Sequence, residues 1–484
     1  MNDARSLFVP SANRLLDDAG CERVLDAVWK VLENTGCLVK HEEARELLSN
    51  AGCTVDGELV KIPRGLMLKA IESAKKDTEF ALFNRDGVRS LTFNPGESHF
   101  GPSITTVFLT DPQTGERRRG TRVDAANTVT LVDALPNIEW ASTIASINDG
   151  LSSLTDLYEV QALLENTNKP IMYWAATPGN LDYEFEMFSA VAGSMEKFAE
   201  KPFALCLVCP LDPLIHTEEG CEQLLKLARA NAPVVYIAGT SMGLTGPISI
   251  AGGLVVGIAD ALVGLLISQL ANPGAPFVVA KFSDNVNMRT VATYHSGPEF
   301  VTANMATAAI FRYLKLPFCL NFGDSDSGIF DEVGTFDAAA QIQAAMSVGS
   351  SMNFASGCVQ NGMCADYRTL ICNNEMIGYF RKLYEPFDLG DESFMLNSID
   401  EVGAGGNFLA EDETLDEYAD QWKSEVFKPI TYEDFNEQGK PQMGDKLMAY
   451  ARDIIAKGTQ HPLDKGMADK VDAIVKEAEA QTKE

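Results

Sequence analysis

Seven short apolar segments recur through residues 140–356, each ending in small or polar residues and each followed by a stretch with helical spacing. They are 140–147, 170–175, 203–209, 233–238, 276–281, 317–322 and 352–356. Five have a proline at or next to the first residue, which suits a strand entered from a loop. Parallel-patterned strands alternating with helices predict an α/β fold, and this many over about 230 residues predict a TIM (β/α)8 barrel. The eighth strand is expected in 98–109 or in 394–399. An open doubly wound sheet is the rival, but no Gly-x-Gly-x-x-Gly follows an early strand, so dinucleotide binding lacks its signature.

The stretch 232–281 tests this reading. Between Ile248 and Leu270 the only formal charge is Asp260, long enough to suggest a membrane span. Gly239, Gly243 and Gly246 precede it, but no Lys-Ser/Thr follows, as a phosphate loop requires. A lone span would place half of a continuous strand–helix rhythm across a membrane. The segment is therefore expected to be a buried barrel helix, with Gly253 and Gly257 allowing close backbone approach.

Around this core, residues 1–120 are expected to form a helical and β extension. Val24, Leu25, Val28, Val31 and Leu32 have helical spacing, and Asn84-Arg85-Asp86-Gly87 marks a turn between strands. Residues 121–400 are expected to form the barrel core. Residues 401–484 are expected to be an acidic tail ending in a helix with Val471, Ile474, Val475 and Ala478 on one face.

The chain has 68 acidic against 39 basic residues, a net charge of −29. Such a surface repels phosphate backbones and anionic membrane, which excludes nucleic acid and membrane as expected partners. The first 20 residues lack the basic and apolar regions of a signal peptide, and ten scattered cysteines suit a reducing cytoplasm. No metal site is expected. Cys206 and Cys209 fall on opposite faces of a strand, and His295 and Glu299 have no second histidine.

Several strings are specific. They include Asn84-Arg85-Asp86, Thr114-Gly115-Glu116-Arg117-Arg118, residues 131–138 (LVDALPNI), 246–253 (GPISIAGG) and 269–276 (QLANPGAP). Met288-Arg289-Thr290, Gly297-Pro298-Glu299-Phe300, Ser325-Asp326-Ser327 with Asp331, residues 373–378 (NNEMIG) and Gly405-Gly406-x-Phe408-Leu409 continue the pattern. Together they resemble the trimethylamine methyltransferase family of corrinoid-dependent enzymes. The resemblance implies a TIM barrel that moves a methyl group from a methylated amine to Co(I) of a corrinoid carried by a partner protein, with no cofactor bound tightly to this chain. Trimethylamine-specific members carry pyrrolysine inside the barrel; this sequence runs through 321–337 in ordinary residues. It also departs from the family at Gly328, often Lys, and at Glu413, where His often precedes Thr.

A quaternary ammonium already carries its charge and leaves as a neutral amine, so its demethylation needs placement rather than a general acid. This favours a betaine-type donor: glycine betaine, proline betaine, carnitine or γ-butyrobetaine. Trimethylamine, another methylated amine, or a non-catalytic relative that binds betaines or the corrinoid protein are the alternatives. A trimethylammonium head is held by aromatic faces, and Tyr173, Trp174, Phe322 and Phe354 stand at strand ends, with Phe330 in the next loop. Asn148, Asp324 and Asp326 fall at the same ends, where such barrels place their sites. His295 is the favoured histidine, with Glu299 beside it, and Lys281 or Arg289 would meet a betaine carboxylate. A large apolar barrel is also compatible with a homo-oligomer.

Overall fold

The computed structural model describes residues 15–482. Residues 1–14, which carry most of the signal-peptide argument, lie outside the described residues. Seven parallel strands form the barrel wall: β1 (His99–Pro102), β2 (Ile171–Trp174), β3 (Ala204–Val208), β4 (Val234–Met242), β5 (Phe277–Val286), β6 (Phe318–Asn321) and β7 (Met352–Ser356). The order β1-β7-β6-β5-β4-β3-β2 leaves one gap, between β1 and β2. Residues 139–141 fill it: the Glu139 amide donates to the Phe100 carbonyl (2.7 Å), and Ala141 exchanges bonds with Pro170 and Met172 (2.8 Å each). The barrel is closed.

Eight main helices accompany these strands and the bridging segment: α1 (Arg122–Ala134), α2 (Thr155–Asn166), α3 (Asn180–Ala192, followed by a short helix at Met195–Glu200), α4 (Glu218–Arg229), α5 (Ile250–Ala271), α6 (Pro298–Tyr313), α7 (Glu332–Val348) and α8 (Tyr367–Leu383). The eighth strand expected from sequence is β1, so the barrel starts at His99, inside the segment read as an extension. Residues 394–399 form no strand: Phe394 ends a 3-10 turn, Met395 is left-handed and a helix starts at Leu396. The expected strand 140–147 is only a bridging segment, touching its neighbours at Ala141, Ala145 and Ile147. Gly101 explains the local geometry, because a Cβ there would fall inside the Trp140 indole.

Among the described residues α5 is the one helix long and apolar enough to cross a membrane, with mean hydropathy 2.3, and most of it is buried. Its inner face packs on β4 and β5, and its outer face is covered by the N-terminal helices Asp18–Lys30, Glu42–Asn50 and Arg64–Ser73. A helix buried on all sides has no need of a polar stripe, which explains its composition. Its glycines set the packing distance: a Cβ on Gly257 would overlap Thr240 and lie 2.6 Å from Lys281 Cε. At the N-terminal end of the barrel, a hairpin (Ala81–Phe83 and Arg89–Thr92) inserts Leu82 and Leu91, with Phe80 and Phe93 beside them, as a plug. The C-terminal helices Met443–Lys457 and Lys465–Gln481 pack on the outside of α1, α2, α3 and α8, burying Val471, Val475 and Ala478.

Candidate active site at the barrel mouth

Strand side chains alternate between the barrel interior and the surrounding helices. Met172 and Trp174, Leu205 and Leu207, Val235 and Ile237, then Val278, Ala280 and Phe282 face inward. Cys319, Met352, Phe354, Trp140 and Ile104 join the same inner cluster, which the hairpin plug closes from below. The deeper members are sealed, whereas Trp174, Leu207 and Phe354 are only partly buried, so the interior opens at the strand C-termini. Phe354 lies 5.5 Å from Phe282 and 6.3 Å from Trp140 between ring centroids. With Trp174 these rings make an aromatic wall.

The Trp174 indole N–H donates to Glu159 Oε2 (2.9 Å), a fully buried carboxyl on α2. Burial raises the Glu159 pKa to about 7 against the lowering effect of this bond and of others from Ile147 and Thr143. The rotamer of Trp174 is thereby fixed from behind.

Beyond Phe282, β5 carries the same inward parity to Asp284. Asp284 accepts from Ser241 (3.1 Å) and faces His295 Nε2 at 3.0 Å; His295 Nδ1 lies 2.8 Å from Asp324. Burial alone would lower the His295 pKa, but its bonds to the two carboxylates outweigh this and raise it to about 10. The imidazole, stacked on Phe300 at 4.9 Å, is therefore charged at neutral pH. One cation between two carboxylates leaves the cluster net negative. It can attract a cation to the mouth, and a doubly protonated ring has no lone pair for work as a base.

Asp326 does something different. It accepts from the backbone amides of His295 (2.8 and 3.0 Å) and Ser296 (2.7 Å), which pins the loop presenting the histidine. Gln341 of α7 supports the same corner, accepting from the Gly323 and Asp324 amides and donating to the His295 carbonyl.

The other residues expected from sequence scatter. Of the aromatic candidates, Trp174 and Phe354 face the interior. Tyr173 packs outward on Phe188 and Phe322 outward on Phe300, because both have the opposite parity on their strands. Phe330 lies beyond the barrel wall, under Arg368 and beside Gly444. Lys281 also points outward: it is fully buried against α5, bonded to Ser283, and burial lowers its pKa to about 7 despite Asp284 and Asp212 nearby. Arg289 and Asn148 are exposed on loops, and Glu299 is exposed in the first turn of α6. Asp260 stays behind the wall as well, accepting from the Leu214 amide at 2.7 Å. Burial raises its pKa, and Asp212 beside it raises it further.

Sequence reasoning missed Trp140, Phe282, Asp284, Ser241 and Glu159. Ending the fifth strand at Lys281 hid the parity that would have revealed Phe282 and Asp284. Among the described residues no three His, Cys, Asp or Glu side chains converge as a metal site.

The family model for trimethylamine methyltransferase matches residues 8–482. A trimethylamine methyltransferase from Desulfitobacterium hafniense (strain DSM 10664 / DCB-2) is 27% identical over 425 residues, covering 87% of this chain and 85% of that protein. A glycine betaine methyltransferase from Desulfitobacterium hafniense (strain Y51) is 26% identical over 479 residues, covering 97% of each chain. The solved monomethylamine methyltransferase of Methanosarcina barkeri superposes with a TM-score of 0.55 at 11% identity, covering 94% of this chain and 89% of that one. The likeness to the solved structure supports the barrel fold, and the match over nearly the whole sequence assigns the chain: it is an enzyme of the trimethylamine methyltransferase family.

Proposed function

We propose that the chain is a cytoplasmic methyltransferase that takes a methyl group from a betaine-type quaternary amine and passes it to Co(I) of a corrinoid held by a partner protein. The observation that carries this reading is the aromatic wall of Trp140, Trp174, Phe282 and Phe354, opening beside the net-negative Asp284–His295–Asp324 cluster. Aromatic faces and a nearby negative charge suit a cation with no proton to donate, each face contributing on the order of 0.5–2 kcal/mol. The similarity to a glycine betaine methyltransferase over the full length supports the same donor class. So do the ordinary residues at 321–337.

On this reading the corrinoid supplies the nucleophile. The chain supplies placement. The wall holds the ammonium, Asp284 draws it to the open end, and Glu159 fixes Trp174. The partly exposed rim at Trp174, Leu207 and Phe354 leaves one side of the bound methyl groups open to an acceptor. The leaving tertiary amine is neutral and needs no proton.

The test is a donor panel of glycine betaine, proline betaine, carnitine, γ-butyrobetaine and trimethylamine, incubated anaerobically with Co(I) corrinoid and followed by the absorbance of the methylated product. Turnover with at least one quaternary amine supports the proposal. Turnover with trimethylamine alone contradicts it, and binding of a betaine without methyl transfer to any acceptor identifies a non-catalytic relative.

A further inference from the structure

The string from Thr114 to Arg118 takes no part in the aromatic wall or the acid–histidine cluster. It ends in the outer strand of a small four-stranded sheet, ordered Cys358–Val359, Cys364–Ala365, Phe108–Thr110 and Arg117–Arg118. Residues 108–118 follow the C-terminal end of β1, and 358–365 follow that of β7, so this sheet stands on the rim of the mouth. Leu109 pairs with Arg118 and Thr110 with Arg117. The period of two then separates the arginines. Arg118 shares the face of buried Leu109 and ion-pairs with Asp111 and Asp124 at 2.6 Å each.

Arg117 and Arg119 fall on the opposite face, exposed, with their guanidiniums 4.2 and 4.8 Å from the Phe108 ring centroid. Arg117 donates to Gln360 Oε1 (2.9 Å) and Arg119 to the Val107 carbonyl (3.3 Å). Among the described residues neither has an ion-pair partner, in a chain with 68 acidic residues. Gln360 in turn bonds to Ser327 and Gly328, and Asn361 bonds to Thr293 and Ser325. The pair is thus braced on the loops that present His295 and Asp324.

We infer that Arg117 and Arg119, pre-set on Phe108, form the docking contact for an acidic surface of the protein that brings the corrinoid to the mouth, an inference that rests on the proposed acceptor. A chain of net charge −29 repels acidic partners over most of its surface. Two guanidiniums without ion-pair partners offer positive charge on the rim where the acceptor must arrive. A planar fork already held on an aromatic ring loses little further entropy when it grips a carboxylate.

The experiment compares Arg117→Glu/Arg119→Glu with wild type, using a cobalamin-loaded corrinoid protein and free cob(I)alamin as alternative acceptors at low and high salt. The expected result is that kcat/KM for the protein acceptor falls about tenfold or more relative to that for free cobalamin, through KM, with a flattened salt dependence. Arg117→Gln/Arg119→Gln should shift the same ratio by a smaller amount, and serves if the reversed pair does not fold. An unchanged ratio in both variants overturns the inference. A wild-type enzyme that methylates neither acceptor contradicts the proposed activity itself, and does so before any variant is compared.

Discussion

Asp284 divides its oxygens between Ser241 and His295, so Asp284→Asn keeps the shape of the corner and removes its net negative charge. At an effective dielectric near 20 this is worth about 1–3 kcal/mol to a cation nearby, roughly 5- to 150-fold in affinity. The expected outcome is a rise of that order in KM for the quaternary amine; an unchanged KM places the cation elsewhere. Glu159→Gln retains an oxygen for the Trp174 indole, whereas Glu159→Ala leaves that N–H without its acceptor. The alanine variant should raise the amine KM by about 1–2 kcal/mol, about 5- to 30-fold, and the glutamine variant by less. Equal effects from both would contradict a positioning role. His295 offers a separate test through stability. Its folded pKa of about 10 lies above the unfolded value near 6.5, so protonation stabilises the native state. That contribution is fully present below about pH 6.5 and is lost as pH rises through about 10. Thermal unfolding of wild type should therefore weaken more steeply between those limits than that of His295→Gln, and parallel curves would count against it.

At the scale of elements, the meeting of α5 with β4 and β5 is the tightest constraint. Gly257→Ala would drive a methyl group into Thr240 and Lys281, and the expected cost is about 1–3 kcal/mol or more, read as a lower unfolding midpoint. Lys281→Met should also change the unfolding midpoint while leaving the amine KM alone, since the side chain lies behind the wall; a raised KM would put it back in the site. Alternation of apolar segments and helices is enough to identify the barrel, and the five proline-marked strands start within one residue of the expected places, although β4 and β5 run four and five residues past their expected ends. Parity within them was harder. Tyr173 and Trp174 are neighbours with equal propensity, and only the strand register decides which one faces the interior. The Trp140 segment keeps its barrel place through a few backbone bonds, and no period of two could reveal that.

Across the whole molecule, the aromatic wall draws Trp140, Trp174, Phe282 and Phe354 from four separate parts of the chain, and the acid–histidine cluster joins β5 to the two loops that follow β5 and β6. Such convergence is a property of barrel closure and cannot be read from spacing along the sequence. His295 and Asp324 were legible because both sit within or beside recognisable strings, whereas Asp284 carries no local signature. The N-terminal helices explain why α5 can be so apolar, a point about assembly rather than about the helix itself. The claim that all of this serves a quaternary amine is tested most directly with a betaine whose N-methyl groups are deuterated. The expected products are the singly demethylated amine and the deuteromethylated corrinoid in equal amounts, measured by mass spectrometry. Label that stays entirely in the betaine, while unlabelled trimethylamine in the same reaction methylates the corrinoid, would contradict it.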